Sequence, residues 1–500
     1  MVDTRKRLAA MRQAAARHGQ SDPGMPQANP ACVPGPGQRC EHPLVDAELN
    51  RRLAEYEALV RGRFAAITDT LKLLSSFQHE RDFVERAQNL VRECLGYELP
   101  SDLLEDAWVT GLDLRALHAY CIFRSYKDCV EKVDVDQAPW RERMTLDEAF
   151  FQSCGYHTVD ISPCADGRLQ GLLPFVLRLA PNDAVNVKAY AGAMFDVEAD
   201  VADWTHRELD RLTGGIPGGE TGNYLKVAVY HYSTSNPCHQ GCAAHGSNDV
   251  KALDSALARL NELRAAVENT FGRGAAPEIL LIGMDTDVDA IRIHVPDATG
   301  EINPARYLCN VTLYRETLGM SADMARAHID AMLARAEGTS PSSPGMRRLI
   351  LALLEANLSQ IEYVIQHHAG RYAVIGHDEA LICAGEATQY VQFRNKYYYA
   401  HLDTVEEGAA DMDVGIKIFT GLNVKHGLAI PVLVHFYYSS CVPGARERAV
   451  LRCRRVKEAI ESRYAHLHKA GLLQCQMAVS DLQGGERVTF VEDEVDAHGH

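Results

Sequence analysis

The chain has 500 residues, 46% hydrophobic and 24% charged, with a formal net charge of −16. That length asks for roughly two to four domains, and so acidic a balance argues against nucleic acid as the main partner. No apolar run approaches the roughly 20 residues needed to cross a bilayer, and Met1-Val-Asp-Thr-Arg-Lys-Arg7 has no apolar core behind it, so neither a membrane span nor a secretory leader is expected.

Residues 1–43 combine Arg5-Lys6-Arg7 with Ser21-Asp-Pro-Gly-Met-Pro26 and Pro34-Gly-Pro-Gly37, a composition that cannot bury a core. We expect a disordered tail whose basic cluster could dock an acidic partner. Residues 44–138 are expected to form a helical domain. Leu53, Tyr56, Leu59, Val60 and Phe64 recur at helical steps, as do Phe83, Ala87, Leu90 and Val91. Gly96 is placed to stop a helix and Ser101-Asp102 to cap the next.

From 139 to 385 strands and helices alternate. Thr158–Ile161, Leu225–His231 and Glu278–Gly283 read as strands. Ser247 reads as the cap of a helix lined by Leu253, Leu257, Leu260, Leu263 and Val267. Such alternation predicts an α/β domain with a mostly parallel sheet. Gly214-Gly-Ile-Pro-Gly-Gly219 lacks the Lys-Ser/Thr of a phosphate cradle and reads as a plain loop. Residues 386–500 repeat the plan. Ile430–Ser439 echoes Leu225–Ser233, a helix with Val450, Val456, Ala459 and Ile460 follows, and Leu472–Asp481 with Arg487–Val491 parallels Ile279–Val295. The ordered match implies a duplication. Tyr437 stands where the first copy has His231, and no Cys-x-Asp-x-Arg recurs, so the second copy is expected to lack a metal.

Chemistry concentrates in Cys164-Ala-Asp166-Gly-Arg168 with His231 and Cys242. In an open α/β sheet, sites form beyond the carboxyl ends of strands. Cys164 follows one strand, His231 ends another, and Cys242 precedes a helix. Two thiolates and an imidazole fill three corners of a zinc tetrahedron and leave one for water, the arrangement of a catalytic rather than a structural site. Asp166 is expected to accept a hydrogen bond from that water, and Arg168 to hold Asp166 in a bidentate fork. Two thiolates make the water less acidic than a tris-imidazole centre would, so activity should climb through alkaline pH. His239 lies three residues before Cys242, and His245 is also near. Strand-end position favours His231 over both. Cys238 reads as a bystander. A zinc deaminase would need His-x-Glu and Pro-Cys-x-x-Cys, whereas Pro237-Cys238 meets its next cysteine one residue too late.

Cys164-x-Asp166-x-Arg168 resembles the zinc signature of β-class carbonic anhydrases. Tyr230-His231-Tyr232 and Gly241-Cys242 resemble that class's His-Tyr-Gly-Cys, split by an insertion. Cys40-Glu-His-Pro-Leu44, His239–Asp249, His401–Gly408 and Val442–Arg448 make the whole chain similar to the carboxysomal shell carbonic anhydrases, a divergent β-class family. The resemblance implies a helical N-terminal domain, a zinc catalytic domain, and a degenerate duplicate that with it mimics the usual β-class dimer. It implies one Zn2+ per chain and reversible hydration of CO2 to bicarbonate. It also implies residence in the carboxysome, with Rubisco and shell proteins as partners through the N-terminal region, and a homodimer or higher oligomer. The rival from another class is a scaffold protein with a structural zinc.

Overall fold

The computed structural model describes residues 41–105, 107–133, 141–180, 182–372, 376–386, 391–402, 405–483 and 488–491. The expected tail lies almost wholly outside them, as do Arg487 and part of the His401–Gly408 segment.

The N-terminal part is built on α1 (Ala47–Phe77), α2 (Phe83–Leu95) and α3 (Leu114–Asp128). Asp46 caps α1 by accepting from the Leu49 N–H at 2.9 Å. Leu53, Tyr56, Val60 and Phe64 are buried, whereas Leu59 faces solvent, because the buried stripe of this long helix passes beside it. Gly96 ends α2 with φ 84°, as expected of a left-handed cap. Ser101-Asp102 does not cap an α-helix. It opens a short 3₁₀ turn behind Pro100, and α3 is capped by Asp113, which accepts from Arg115 and Ala116.

Two sheets follow. The first contains β1 (Tyr156–Pro163), β2 (Val185–Val187), β3 (Asn223–Tyr232), β4 (Glu278–Asp285), β5 (Ala290–Pro296) and β6 (Ile302–Cys309), in the order β2-β1-β3-β4-β5-β6. β1 to β4 pair in parallel, and β5 and β6 are antiparallel additions. Helices α4 (Val197–Leu212) and α5 (Asp249–Phe271) flank it. Ser247 is not the cap of α5. It adopts φ 57°, and Asn248 caps the helix by accepting from the Lys251 N–H. Ala252, Ala256, Leu260, Leu263 and Val267 form the inward face of α5, with Leu253 and Leu257 at its margin. Three further helices, α6 (Asn310–Thr317), α7 (Ala322–Glu337) and α8 (Pro344–His367), complete this part. Across β1 and β3, Asp160 sits directly opposite Lys226, whose fully buried ammonium bridges Asp160 at 3.0 Å and Asp200 of α4.

The second sheet contains β7 (Leu381–Gly385), β8 (Tyr397–Ala400), β9 (Ile430–Tyr438), β10 (Leu473–Asp481) and β11 (Thr489–Val491), in the order β8-β7-β9-β10-β11. It therefore takes in residues ahead of the expected boundary at 385/386. Helices α9 (Val405–Leu422) and α10 (Ala445–Arg463) belong with it. Each strand has a counterpart in the first sheet, with the same neighbours and the same antiparallel edge after the fourth position. Register makes the correspondence residue-specific. Tyr232 faces Asp285 and Tyr438 faces Asp481 at the strand ends, so Tyr437 takes the place of His231. The Cys164 N–H bonds the Val229 carbonyl at 3.2 Å, and the Glu386 N–H bonds the His435 carbonyl at 3.1 Å. Glu386 thus occupies the position of Cys164, and it is ion-paired to Arg452.

The sheets meet along the β8 edge. The Tyr399 N–H bonds the carbonyl of Ala165, the residue between Cys164 and Asp166, at 3.0 Å, and the His401 N–H bonds that of Ala189 at 2.8 Å. Ala165 itself is wholly buried in the apolar cluster of the second sheet, beside Tyr398. The helical part is tied in by buried polar groups. Glu57 of α1 accepts from the hydroxyl of Tyr363 and pairs with His368 at 2.9 Å, while Asn50 accepts from Arg178 at 2.7 Å.

Candidate metal centre and its surroundings

β1 ends at Pro163 and hands Cys164 to the carboxyl edge of the first sheet; the next strand, β3, ends with His231 and Tyr232 at the same edge. The chain then loops back, and Cys242 precedes the short turn that opens into α5. Cys164, His231 and Cys242 are buried, and one ligand atom from each lies within 4.8 Å of the other two. The two sulfurs are 3.8 Å apart. Two zinc–sulfur bonds of about 2.3 Å at a tetrahedral angle put sulfurs about 3.8 Å apart, so the separation fits zinc. Both ring nitrogens of His231 are buried without a hydrogen-bond partner. An imidazole is not left that way without cause, since an unsatisfied buried polar atom costs about 1–3 kcal/mol. Donor set, spacing and orphaned imidazole all suit a soft divalent cation.

The sulfurs are also prepared electrostatically. The hydrogen bond to Cys242, with burial, pushes the Cys164 thiol well up, and the same bond draws Cys242 down. The Gly192 N–H donates to Cys164 Sγ at 3.3 Å. Gly192 has φ 71°, and a Cβ there would lie 2.5 Å from His245 Nε2, so glycine is required at this approach.

Asp166 and Arg168 sit beside the three candidate ligands. Asp166 Oδ2 is 3.8 Å from His231 Nε2. Arg168 donates from Nε to Asp166 Oδ1 at 2.9 Å and from Nη2 to Oδ2 at 2.8 Å, the bidentate fork expected. Burial pushes the Asp166 carboxyl up, but the guanidinium outweighs it and holds the group well below the usual carboxylate range. The remaining arm of Arg168 donates from Nη1 to the Gln240 carbonyl at 2.7 Å, tying the fork to the loop that carries Cys242.

Of the other candidates, His239 and Cys238 are exposed, and His245 Nε2 faces the Gly192 carbonyl at 3.2 Å. Among the described residues neither histidine joins the cluster. The structure adds groups that spacing along the chain did not reveal. Tyr398 of β8 is wholly buried within electrostatic reach of Cys164, Asp166 and Cys242, and its hydroxyl donates to the Asp411 carbonyl at 3.0 Å. His377 and Glu379 approach Asp166 from the segment leading into β7, with ligand atoms within 4.8 Å. One signal for them was present in Gly167, where a Cβ would lie 2.2 Å from Glu379 Cγ. No helix among the described residues is long and apolar enough to cross a membrane.

Comparison with known proteins agrees along most of the chain. Residues 42–134, 146–377 and 378–495 match the N-terminal, catalytic and C-terminal families of carboxysome shell carbonic anhydrase. The chain is 46% identical over 462 residues to the carboxysome shell carbonic anhydrase of Halothiobacillus neapolitanus, covering 90% of each. It is 46% identical over 448 residues to that of Prochlorococcus marinus (strain MIT 9313), covering 88% of this chain and 86% of the relative. It is 47% identical over 448 residues to that of Parasynechococcus marenigrum, covering 88% and 77%. With three consecutive family matches and relatives of this identity and coverage, the chain belongs to the carboxysome shell carbonic anhydrase family.

Proposed function

We propose that this carbonic anhydrase binds one zinc ion per chain through Cys164, His231 and Cys242, with Asp166 and Arg168 as its catalytic dyad, and interconverts CO2 and bicarbonate within the carboxysome. The observation that carries the reading is a buried imidazole with no hydrogen-bond partner, beside two sulfurs 3.8 Å apart and a carboxylate–guanidinium fork. When bound, zinc supplies Lewis-acid activation of water at neutral to alkaline pH. The protein's own groups do the rest. Asp166, kept ionised by Arg168, accepts a hydrogen bond from the attacking water and fixes its lone pair toward CO2. Arg168 occupies both carboxylate oxygens, which keeps Asp166 in place and off the metal. Ala165 beside the cluster and Tyr398 from the second sheet are both wholly buried, which shields this side of the site from solvent.

In the carboxysome the useful direction is bicarbonate to CO2, feeding Rubisco, with the N-terminal region as the tether to Rubisco or shell proteins and a homodimer or larger oligomer as the working form. Zinc K-edge absorption should report two sulfurs, one nitrogen and one exchangeable oxygen. His231→Ala should lose the metal and His239→Ala should keep it. Stopped-flow CO2 hydration should be fast in the wild type and near background in Asp166→Ala. Equal background rates in both would leave a scaffold with a structural zinc as the better reading.

A further inference from the structure

Hydration of CO2 releases one proton per turnover, and the dyad beside the metal ligands is buried, with Asp166 1% and Arg168 6% exposed. That proton needs a carrier with one foot in the site and one in solvent. Among the described residues near the dyad, His377 meets both conditions. Its side chain is 27% exposed, yet one of its ligand atoms lies within 4.8 Å of an Asp166 carboxylate oxygen. It lines a small pocket with Arg168, Gln240, Thr286, Asp287 and Tyr372, so the guanidinium of the dyad and this imidazole border the same gap.

The ring is held by one neighbour. Glu379, whose side chain is wholly buried, places its oxygens 2.9 and 3.2 Å from His377 Nδ1. Glu379 in turn packs on Gly167, between Asp166 and Arg168, closely enough that no Cβ fits there. With Nδ1–H donated to Glu379, the neutral imidazole carries its free lone pair on Nε2. The charged and titratable groups around it are Glu379 on its own segment, Asp166 and Arg168 from the loop after β1, and Asp287 and Tyr372 across the pocket. Burial disfavours the imidazolium, and Glu379 outweighs burial, so the pKa of His377 lies above its ordinary value. A second cation site built from Asp166, His377 and Glu379 is the competing use of these atoms. Arg168 already donates to both oxygens of Asp166 and would repel such a cation.

We propose that His377, oriented by Glu379, carries the proton of the hydration cycle from the site to solvent. The proposal rests on the carbonic anhydrase reading above. In the hydration direction CO2 and water become bicarbonate and a proton. His377 Nε2 takes that proton through intervening solvent, the imidazolium is balanced by Glu379, and a buffer base removes the proton; no other bond changes. Dehydration runs the same transfer in reverse.

The test is stopped-flow CO2 hydration by zinc-loaded wild type, His377→Ala and Glu379→Gln, at low and high buffer concentration. In low buffer His377→Ala should lower kcat roughly ten- to hundredfold with kcat/KM unchanged, and added imidazole should restore kcat. Glu379→Gln keeps a hydrogen-bond partner but no charge, so the pH midpoint of its low-buffer kcat should move to lower pH. An unchanged kcat in low buffer for His377→Ala would overturn the proposal, and so would equal losses of kcat and kcat/KM without imidazole rescue. An inactive zinc-loaded wild type would remove the carbonic anhydrase reading with it, a result plainly different from either.

Discussion

Replacing Arg168 by lysine keeps the charge and discards the geometry. The native guanidinium makes three short bonds, two to the oxygens of Asp166 at 2.8 and 2.9 Å and one to the Gln240 carbonyl at 2.7 Å. An ammonium on a flexible stem cannot make the planar fork and reach Gln240 together. Losing two charge-assisted bonds at about 1.5–3 kcal/mol each removes about 3–6 kcal/mol of orientation. If most of that is felt in the transition state, kcat/KM for CO2 hydration falls by two to three orders of magnitude, since about 1.36 kcal/mol is tenfold. Gln240 lies two residues before Cys242, so the metal should also leave faster under a chelator. The assays are stopped-flow hydration at matched zinc content and the rate of zinc transfer to a chromophoric chelator. Hydration within threefold of wild type, with unchanged zinc loss, would refute the claim that the fork positions Asp166 and the Cys242 loop.

Two further outcomes concern stability. Lys226→Met removes the buried ammonium between Asp160 and Asp200, leaving Asp160 only the Tyr224 hydroxyl and Asp200 only Lys188 at 3.6 Å. That should cost about 3–5 kcal/mol and lower the melting temperature by roughly 6–15 °C, and an unshifted transition would count against the buried pairings. His294 and His435 are held at about 3 by burial, with Arg292 adding to the effect at His294. Their unfolded values lie near 6.5, so below that pH the unfolded chain binds more protons than the folded one. The stability they contribute is complete above about pH 6.5 and falls by about 1.4 kcal/mol per pH unit per histidine as pH drops toward 3. Thermal midpoints should therefore decline between pH 7.5 and 5.5, less steeply in His435→Phe; flat midpoints in the wild type would contradict this.

The sequence was legible where one residue's position at a strand end fixed its place in the fold. Cys164 and His231 could be read because each stands at the end of an apolar run, and strand ends in an open parallel sheet converge. The duplication could be read because β9, α10 and β10 keep the order of β3, α5 and β4. What could not be read were contacts between segments far apart in the chain. Tyr398, His377 and Glu379 lie more than 140 residues beyond Cys164–Arg168 and reach it only through the packing of the second sheet. Local caps were misplaced for a similar reason. Ser247 and Ser101 are good capping residues by type, but Ser247 takes φ 57° and the turn behind Pro100 sets the backbone of Ser101, so Asn248 caps α5 and Asp113 caps α3. The helices from Asn310 to His367 hold none of the candidate site residues and gave no motif to find them by.

The main-chain bond from Tyr399 to Ala165 joins two halves of one polypeptide. Where two such halves are separate molecules, their junction falls apart on dilution, and a site that depends on it becomes second order in protein. Here the second half is tethered at a fixed effective concentration. The segment carrying Cys164 and Asp166 is completed during folding, whatever the copy number. One Cys-His-Cys cluster then suffices for the pair of halves, and the counterpart positions hold Glu386 and Tyr437.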